Sequence, residues 1–480
     1  MQSRRDQVQA YFFVVGRLVA ALTHGKPDIV ETPNRRLSTG TTLGFLLAAL
    51  IAAIFGIYGL FVPGGNTSWQ QAGAIIIVKE SGARYVYLNG TLRPVLNYTS
   101  ARLAVNSEST QVVSVSQSSL AGVPVGTPIG IPGAPDDLPA ANRLDTGAWT
   151  VCVRNPAEDS AVGAAGSGSA TITLLLRQIT TPPLSQAQGM LVSTSDGSRY
   201  LLWNGQRYRI ADPVALEALG YVTAVPVNVP ASWLNPLPTG RDLAVPAIAG
   251  SGQPGPAVGG IRSMVGEVFE VRNPVMNSDG FYVARSGGLQ PLSPTAAALL
   301  LGSPTAQQVN PGGRPTEVGP SALASVSISS DTGLVTGYPP PLAVGALLDA
   351  SKGADPCVRY FPSASGNMKI DLLSLNPEEA GAGAVSAERH VAGETADLVA
   401  IPGGSGVLVQ DLPAPGAQPG AEYLVTDFGV KYPLSSTSVA SALGYAQTSA
   451  VSIPGQLLAL LPTGPVLSPA SALDNQAAGS

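Results

Sequence analysis

Two stretches decide how this chain is read: WTVCVR at Trp149–Arg154 and CVRYF at Cys357–Phe361, each an apolar, β-branched and aromatic run carrying one cysteine. A second such run follows each of them, ATITLLLR at Ala170–Arg177 and NMKIDLLSL at Asn367–Leu375. Runs of this composition bounded by Gly, Pro and Ser read as strands. Each pair is half of a core, and two halves of a few strands are expected to join into one central sheet.

Outward from these cores the chain repeats itself. The strings ALGY (Ala218–Tyr221 and Ala442–Tyr445) and LPTG (Leu237–Gly240 and Leu461–Gly464) recur at one offset of 224 residues. RYVYLNGTLRPV from Arg84 resembles RYLLWNGQRYRI from Arg199, and in both an Asn-Gly pair between alternating runs signals a type I′ hairpin, whose turn residues need φ > 0. A further copy starts near Phe281, with Leu289, Pro291 and Leu292 where the first has Leu92, Pro94 and Val95. Each copy reads as a hairpin plus a short helix. The order repeat, half-core, repeat, then repeat, half-core, repeat implies an old duplication. The expected fold is α+β: one N-terminal transmembrane helix, then an elongated β-rich ectodomain with four small repeat units around a disulfide-linked core, pseudo-two-fold. The expected boundaries are 1–40 (cytoplasmic N-terminus), 41–63 (transmembrane helix), 75–135 (repeat 1), 136–188 (core part A), 189–250 (repeat 2), 262–334 (repeat 3), 335–412 (core part B) and 413–480 (repeat 4 and tail).

Charge supplies the membrane assignment. No Asp, Glu, Lys or Arg occurs between Arg36 and Lys79, and Leu43–Val62 is long enough, at about 30 Å as a helix, to cross a bilayer. Six basic residues against three acidic ones precede it, whereas 20 basic against 28 acidic follow, so the positive-inside rule puts the N-terminus in the cytoplasm. The span is read as an uncleaved anchor, because a signal peptide would start nearer Met1 and be shorter. Gly44, Ala48, Ala52 and Gly56 recur every four residues and form a helix-packing face. The abundance of small residues in membrane helices generally explains the spacing equally well. Val8, Tyr11, Phe12, Val15, Leu18, Val19 and Leu22 follow three/four spacing, so Gln7–Thr23 is expected to be an amphipathic helix that lies on the inner leaflet or docks a partner.

Cys152 and Cys357 occupy equivalent places in the two halves, on the side of the membrane where disulfides persist, and are expected to bridge. Two buried thiols or an intermolecular bond are the alternatives. Closing so long a loop would be worth roughly 5 kcal/mol on the loop-entropy model, an upper figure.

Several of these strings resemble the EccB component of actinobacterial type VII (ESX) secretion machines: VQAYFFVVGRLVAAL from Val8, PGGNTSW (Pro63–Trp69), LRPVLNYTSARL (Leu92–Leu103) and GIPGAP (Gly130–Pro135). The resemblance runs from about Val8 to the last repeat. It implies a structural subunit of an inner-membrane export complex, with EccC, EccD, EccE and the mycosin protease as partners, and a four-repeat ectodomain on a disulfide-linked core; the low charge and the abundance of small and apolar residues suggest an exterior covered by partners, consistent with a homo-oligomer.

Chemistry is scarce in the sequence. With two His and two Cys in 480 residues, and His24 parted from both cysteines by the bilayer, no zinc site is expected. A net charge of −5 argues against nucleic acid. Members of the family are labelled ATPases, but no GK[ST] P-loop occurs; GAAGSGSA (Gly163–Ala170), GSGQPGPAVGG (Gly250–Gly260) and GGSG (Gly403–Gly406) read as loops and linkers. ATP is therefore unsupported as a cofactor, and no catalytic, cofactor-binding or metal residue is assigned. His390, beside Glu388 and Arg389, reads as a solvated surface residue, and no GxSxG elbow accompanies it. The consecutive carboxylates Asp136/Asp137 and Glu378/Glu379 read as exposed loops, Ser195–Gly197 as a turn. Trp203, Tyr208, Trp233 and Tyr423 suit either hairpin cores or stacking on cell-wall peptidoglycan, with core use preferred. Function is read as scaffold, with extracytoplasmic ATPase and peptidoglycan binding as alternatives.

Overall fold

A computed structural model describes residues 4–25, 33–61, 67–107, 110–155, 170–273, 278–349, 353–362, 368–414, 416–445, 448 and 450–476. Helix α1 (Arg4–His24) covers the expected amphipathic segment, and α2 (Pro33–Phe61) contains the apolar stretch Leu37–Gly59, long and apolar enough to cross a membrane. The exit residues 63–66 and the glycine-rich residues 163–169 lie outside the described residues.

Beyond α2 four sheets of four strands share one strand order. The first holds β1 (Ile75–Val78), β2 (Arg84–Leu88), β3 (Thr91–Pro94) and β4 (Val112–Val115), with α3 (Tyr98–Val105) between the last two. The second holds β7 (Met190–Ser193), β8 (Arg199–Trp203), β9 (Gln206–Ile210) and β10 (Val227–Asn228), with α4 (Pro213–Ala218) and, after β10, α5 (Ala231–Leu234). The third holds β13 (Val268–Asn273), β14 (Ser278–Arg285), β15 (Gly288–Leu292) and β16 (Thr316–Val318), with α6 (Pro294–Leu301). The fourth holds β21 (Gly406–Leu412), β22 (Glu422–Thr426), β23 (Lys431–Pro433) and β24 (Val451–Pro454), with α8 (Thr437–Leu443), α9 (Gly455–Leu458) and α10 (Pro469–Ala472).

In each unit the first three strands form an antiparallel meander and the fourth pairs parallel to the first. A parallel return needs a crossover, and the helix supplies it. Side chains at the entry of three of these helices fix where they start: Asn97, Asp212 and Ser293 accept from the backbone N–H three residues on, at 2.9, 2.7 and 3.1 Å. The hairpin turns are as the Asn-Gly pairs require, with Asn89/Gly90 at φ 49° and 77° and Asn204/Gly205 at 48° and 72°. The sequence expectation of a hairpin plus helix was therefore incomplete by two strands per unit, because six of the eight flanking strands run to four residues or fewer.

The LPTG strings gain a physical reason. A Cβ on Gly240 or Gly464 would stand 2.5 or 2.4 Å from the ring of Tyr208 or Tyr432. Each glycine amide bonds the neighbouring third strand, Gly240 to Arg207 O at 2.8 Å and Gly464 to Lys431 O at 2.9 Å. Glycine lets the tail lie flat on the tyrosine.

The central sheet has six strands in the order β18-β17-β5-β6-β20-β19, from β5 (Trp149–Arg154), β6 (Thr171–Leu175), β17 (Asp355–Phe361), β18 (Lys369–Leu375), β19 (Val385–Ser386) and β20 (Leu398–Ala400). One face carries Trp149, Val151, Val153, Ile172, Leu174, Val358 and Tyr360 into the largest apolar cluster, shared with the second and fourth units. The other face carries both cysteines, Leu175, Leu373 and Leu375, covered by Ile179 and by Ala380 of α7 (Pro377–Gly381). Burying both faces makes these strands almost continuously apolar, which is why they stood out in the sequence.

Two further expectations are corrected. Gly250–Gly260, read as linker, leads into a two-stranded hairpin of β11 (Pro254–Val258) and β12 (Ile261–Met264) that turns at Gly259 and Gly260, both at positive φ. Glu378 and Glu379 sit in the first turn of α7, not in a loop, where carboxylates suit the helix N-terminus and Thr181 Oγ1 donates to Glu379 Oε1 at 2.8 Å.

Candidate functional site

The two halves meet at one point. Strands β5 and β17 lie antiparallel in a register that sets Cys152 directly opposite Cys357, with Val151 opposite Val358, Thr150 opposite Arg359 and Trp149 opposite Tyr360. Cα atoms of the cysteines are 4.1 Å apart and the sulfurs are bonded, so a cross-link spans 205 residues of chain. Both cysteines are buried.

Charge reinforces the seam. Arg154, in the first half, holds Asp355, in the second, through Nε at 3.1 Å and Nη2 at 2.7 Å, and donates to Pro377 O at 2.5 Å. Arg359 turns instead to Asp371 at 2.9 Å, with Nη1 donating to Ile179 O at 3.0 Å, and this pair is almost wholly buried. Removing one partner of such a pair would strand a buried charge, at about 3–5 kcal/mol. These arginines are the third letters of the two CVR strings. The repeated tripeptide signalled them, but only its cysteines were read for function.

Connecting segments cross from half to half as well. Leu144, ahead of β5, bridges Gly406 of the fourth unit, and Leu347, ahead of β17, bridges Gly189 of the second. β20 of the second half extends the sheet from β6 of the first, while Leu184 N of the first half donates to Leu372 O of β18 at 2.8 Å. Tyr445 OH, in the fourth unit, donates to Pro139 O at 2.7 Å, and burial pushes its phenol above the ordinary tyrosine range. The first unit is bound to the fourth by Arg102 Nε on Ala442 O at 3.1 Å and by Arg93 on Asn475 at 2.5 Å. The second is bound to the third by Arg241, which donates to Gly333 O at 2.5 Å and stacks over Tyr338 at 4.6 Å.

The candidate ligand-facing aromatics divide. Trp233 is fully buried with Nε1 donating to Val151 O at 3.0 Å, and Tyr208 is buried against Gly240. Neither can face a sugar. Trp203 and Tyr423 are half-buried, and Trp203 Nε1 donates to Gln186 O at 2.8 Å. His390 is exposed, its Nδ1 3.2 Å from Ala387 O. Asp136 is exposed yet engaged, with Oδ1 2.5 Å from Arg84 Nη1 and 2.9 Å from Tyr98 N. Ser195–Gly197 is the turn expected, closed by hydrogen bonds from Thr194 and Ser198 that hold the Asp196 carboxyl below its ordinary range. Among the described residues no group of three or more His, Cys, Asp or Glu gathers as a metal site. The glycine-rich stretches within them form a hairpin and a turn, not the strand, phosphate loop and helix that an ATP site of the P-loop kind needs. On α2, a Cβ at Gly44 or Gly56 would meet nothing within 4 Å, so the small-residue face is open in the single chain.

An apolar helix long enough to span a membrane, followed by an interlocked β-rich domain whose best-organised feature is a cross-linked seam, describes a tethered assembly subunit. The comparisons agree. The family model for the type VII secretion system ESX-1, transport TM domain B, matches residues 1–478, and the chain belongs to this EccB family. A Mycolicibacterium smegmatis relative called the ESX-3 secretion system ATPase EccB3 is 30% identical, over 98% of this chain and 90% of its own length. The Mycobacterium tuberculosis ESX-1 secretion system ATPase EccB1 is 26% identical over 97% and 93%. Among solved structures, a chain of an EccB3 dimer from the ESX-3 core complex superposes with a TM-score of 0.67 at 28% identity, covering 84% of this chain and all of that one. A chain of an intact ESX-5 inner membrane complex reaches 0.68 at 24% identity, over 100% and 97%, a likeness of fold.

Proposed function

We propose that the chain is a single-pass scaffold subunit of a type VII secretion inner-membrane complex. Its short N-terminus is cytoplasmic and its bulk extracytoplasmic, as the charge asymmetry across the span favours. The four units are copies of one repeat with the boundaries given above, except that the fourth starts at Gly406, since its first strand lies in the stretch assigned to core part B. Exchange of Leu144 and Leu347 between halves, and the Cys152–Cys357 pair at the centre, favour a pseudo-two-fold arrangement of the duplicated segment. The disulfide clamps half to half. Gly44, Ala48, Ala52 and Gly56 offer the membrane helix a face for a partner helix, and α1 offers exposed Tyr11, Phe12 and Leu18 to another subunit. The partners are EccC, EccD, EccE and mycosin, as the family resemblance implies.

The observation that carries this reading is the interlocked seam: rigidity across halves serves a framework, and the second reading, ATP hydrolysis, rests on the relatives' names alone. Affinity isolation of the tagged full chain in mild detergent tests it. Recovery of the other secretion subunits with this chain is expected. A chain that purifies without them, or that hydrolyses ATP when pure at a rate matching an EccC control, contradicts it. Peptidoglycan binding loses Trp233 and Tyr208 to the core, and sedimentation of the chain with purified cell wall would restore it.

A further inference from the structure

Two tails in the molecule follow one path to different ends. The bridges Arg207 to Thr239 and Ile210 to Leu243, which lay the tail of the second unit beside β9, recur in the fourth unit as Lys431 to Thr463 and Leu434 to Leu467 beside β23. Past these bridges each tail crosses to a neighbouring unit. Ile248 shares an apolar cluster with Leu300 of α6 in the third unit, and Ala472 shares one with Leu103 of α3 in the first. There the likeness stops. The second tail runs on through Gly252, whose N–H donates to Val265 O at 2.9 Å, into β11, so the third unit is held by continuous chain. The fourth tail meets the first unit across 346 residues of sequence or more, and only non-covalent bonds hold it.

Those bonds are concentrated at Asp474–Gln476. Asn475 lies antiparallel opposite Ile129, itself bridged to Val95, so the segment adds one more rung to the first unit. Gln476 N donates to Pro128 O at 2.8 Å, Gly130 N to Asp474 O at 3.3 Å and Gln476 Nε2 to Gly130 O at 2.9 Å. Asn475 Oδ1 accepts twice, from Arg93 Nη2 at 2.5 Å and from Thr127 Oγ1 at 2.8 Å. The pivot is as well defined. Asp136 belongs to the first unit through Arg84 and Tyr98 N, whereas Leu138, two residues on, packs on the apolar cluster of the fourth. Across the boundary there remain Arg102 on Ala442 O and the apolar contact of Leu103, Ile131 and Ala134 with that cluster.

We propose that Asp474–Gln476 is a latch: closed, it fixes the first unit on the fourth, and open, it lets that unit swing about Asp137 with its own sheet intact. The sheet can stay whole because its two small clusters, around Trp69 with Ile76 and around Ile75 with Val86 and Ala101, contain no residue of the fourth unit. The chain enters the first unit from α2, so the latch sets the angle at which the rest of the β-rich domain stands on the membrane helix. It is a property of the chain alone, whether or not the scaffold reading holds.

Thiol labelling of the full chain in detergent tests this, with one reporter cysteine at a time. Ala134→Cys reports on the boundary and Ala101→Cys on the interior of the first unit, and both positions are buried. Asn475→Leu removes the two hydrogen bonds that Oδ1 accepts and should raise the labelling rate of Ala134→Cys by at least about tenfold, leaving that of Ala101→Cys unchanged. Asn475→Asp keeps both acceptor bonds and should label like the chain with Asn475. An Ala134→Cys rate that Asn475→Leu does not move overturns the proposal, as does equal acceleration in Asn475→Asp. A rise at Ala101→Cys matching that at Ala134→Cys also overturns it, since the first unit would then be unfolding rather than swinging.

Discussion

The second and fourth units share the topology of the first and third but not their way of being stable. Val192, Leu202, Trp233, Leu234, Val409, Val425 and Leu457 pool with the central sheet in one cluster, whereas the first and third units keep small clusters of their own around Trp69 and Phe269. The segment after the fourth strand differs accordingly. It is α5 or α9 in the pooled units and a 3-10 turn, Gln117–Leu120 or Pro320–Ser325, in the others. Identical strand order therefore says nothing about cooperativity. Units that lend their face to a common core should unfold with it, whereas the first and third units, tied to the fourth and second through Leu103 and Leu299, keep face clusters of their own that should loosen first.

The strongest way to break that contrast is to remove what centres the common core. Cys152→Ser with Cys357→Ser frees a cross-link spanning 205 residues and should cost up to about 5 kcal/mol, lowering the urea midpoint of the full chain in detergent. Hydrogen exchange should then rise together in the second unit, the fourth unit and the central sheet. An unchanged midpoint would mean that the cross-link constrains nothing that the interlocked segments do not already hold.

Tryptophan truncation sharpens the comparison within one residue type. Trp233→Ala empties a fully buried site in the common core and should cost about 3–5 kcal/mol of global stability. Trp69 is as buried, packed edge-on to Tyr87 with ring centroids 5.5 Å apart, yet Trp69→Ala should appear chiefly as accelerated exchange confined to β1–β4. Equal global losses would show that the first unit is not independent.

The same Asn-Gly turn gives a smaller contrast. Gly90 and Gly205 both sit at positive φ, where alanine is strained by about 1–2 kcal/mol. A Cβ on Gly90 meets open space, but on Gly205 it would lie 2.6 Å from Ile370 O of β18. Gly205→Ala should thus cost about 1–3 kcal/mol more than Gly90→Ala in paired melts, since the clash is with backbone and cannot relax cheaply.

What was legible in the sequence was whatever obeys local rules. Asn-Gly turns, the charge-free span and the two cysteine strands each follow from a few adjacent residues, whereas the helix entries at Asn97 and Asp212 were not read from the sequence. Strands such as Ile75–Val78 escaped, because four apolar residues without a turn signal fit any buried segment. The β11–β12 hairpin escaped because Pro254 and Pro256 argue against strands; in a two-stranded ribbon every strand is an edge, where a missing N–H is tolerated. Arg154 and Arg359 were visible as repeated letters, but their partners Asp355 and Asp371 emerge only from the register of β17 with β5 and β18. Which cover each unit's sheet face receives is a matter of how units pack, and no local pattern encodes it.

The finest difference lies at one equivalent position, Arg207 in the second unit and Lys431 in the fourth. Each reaches the carbonyl end of a following short helix, Arg207 to Leu234 O at 3.3 Å and Lys431 to Leu458 O at 2.8 Å, where a cation suits the helix C-terminus. Burial pulls the Lys431 ammonium down to about 8, the nearby Asp411 charge only partly opposing it. With the folded value below the ordinary 10.5, the unfolded chain binds more protons between the two, so stability must rise as pH climbs from about 8 to 10.5 and fall back on the way down. A guanidinium keeps its charge across that range, so Lys431→Arg should flatten this component of the profile. The measurement is the difference in urea midpoint between wild type and Lys431→Arg at pH 7.5, 8.5 and 9.5. A difference that stays constant over these three points would place Lys431 in solvent-like surroundings, and the fourth unit would then be less committed to the common core than the second.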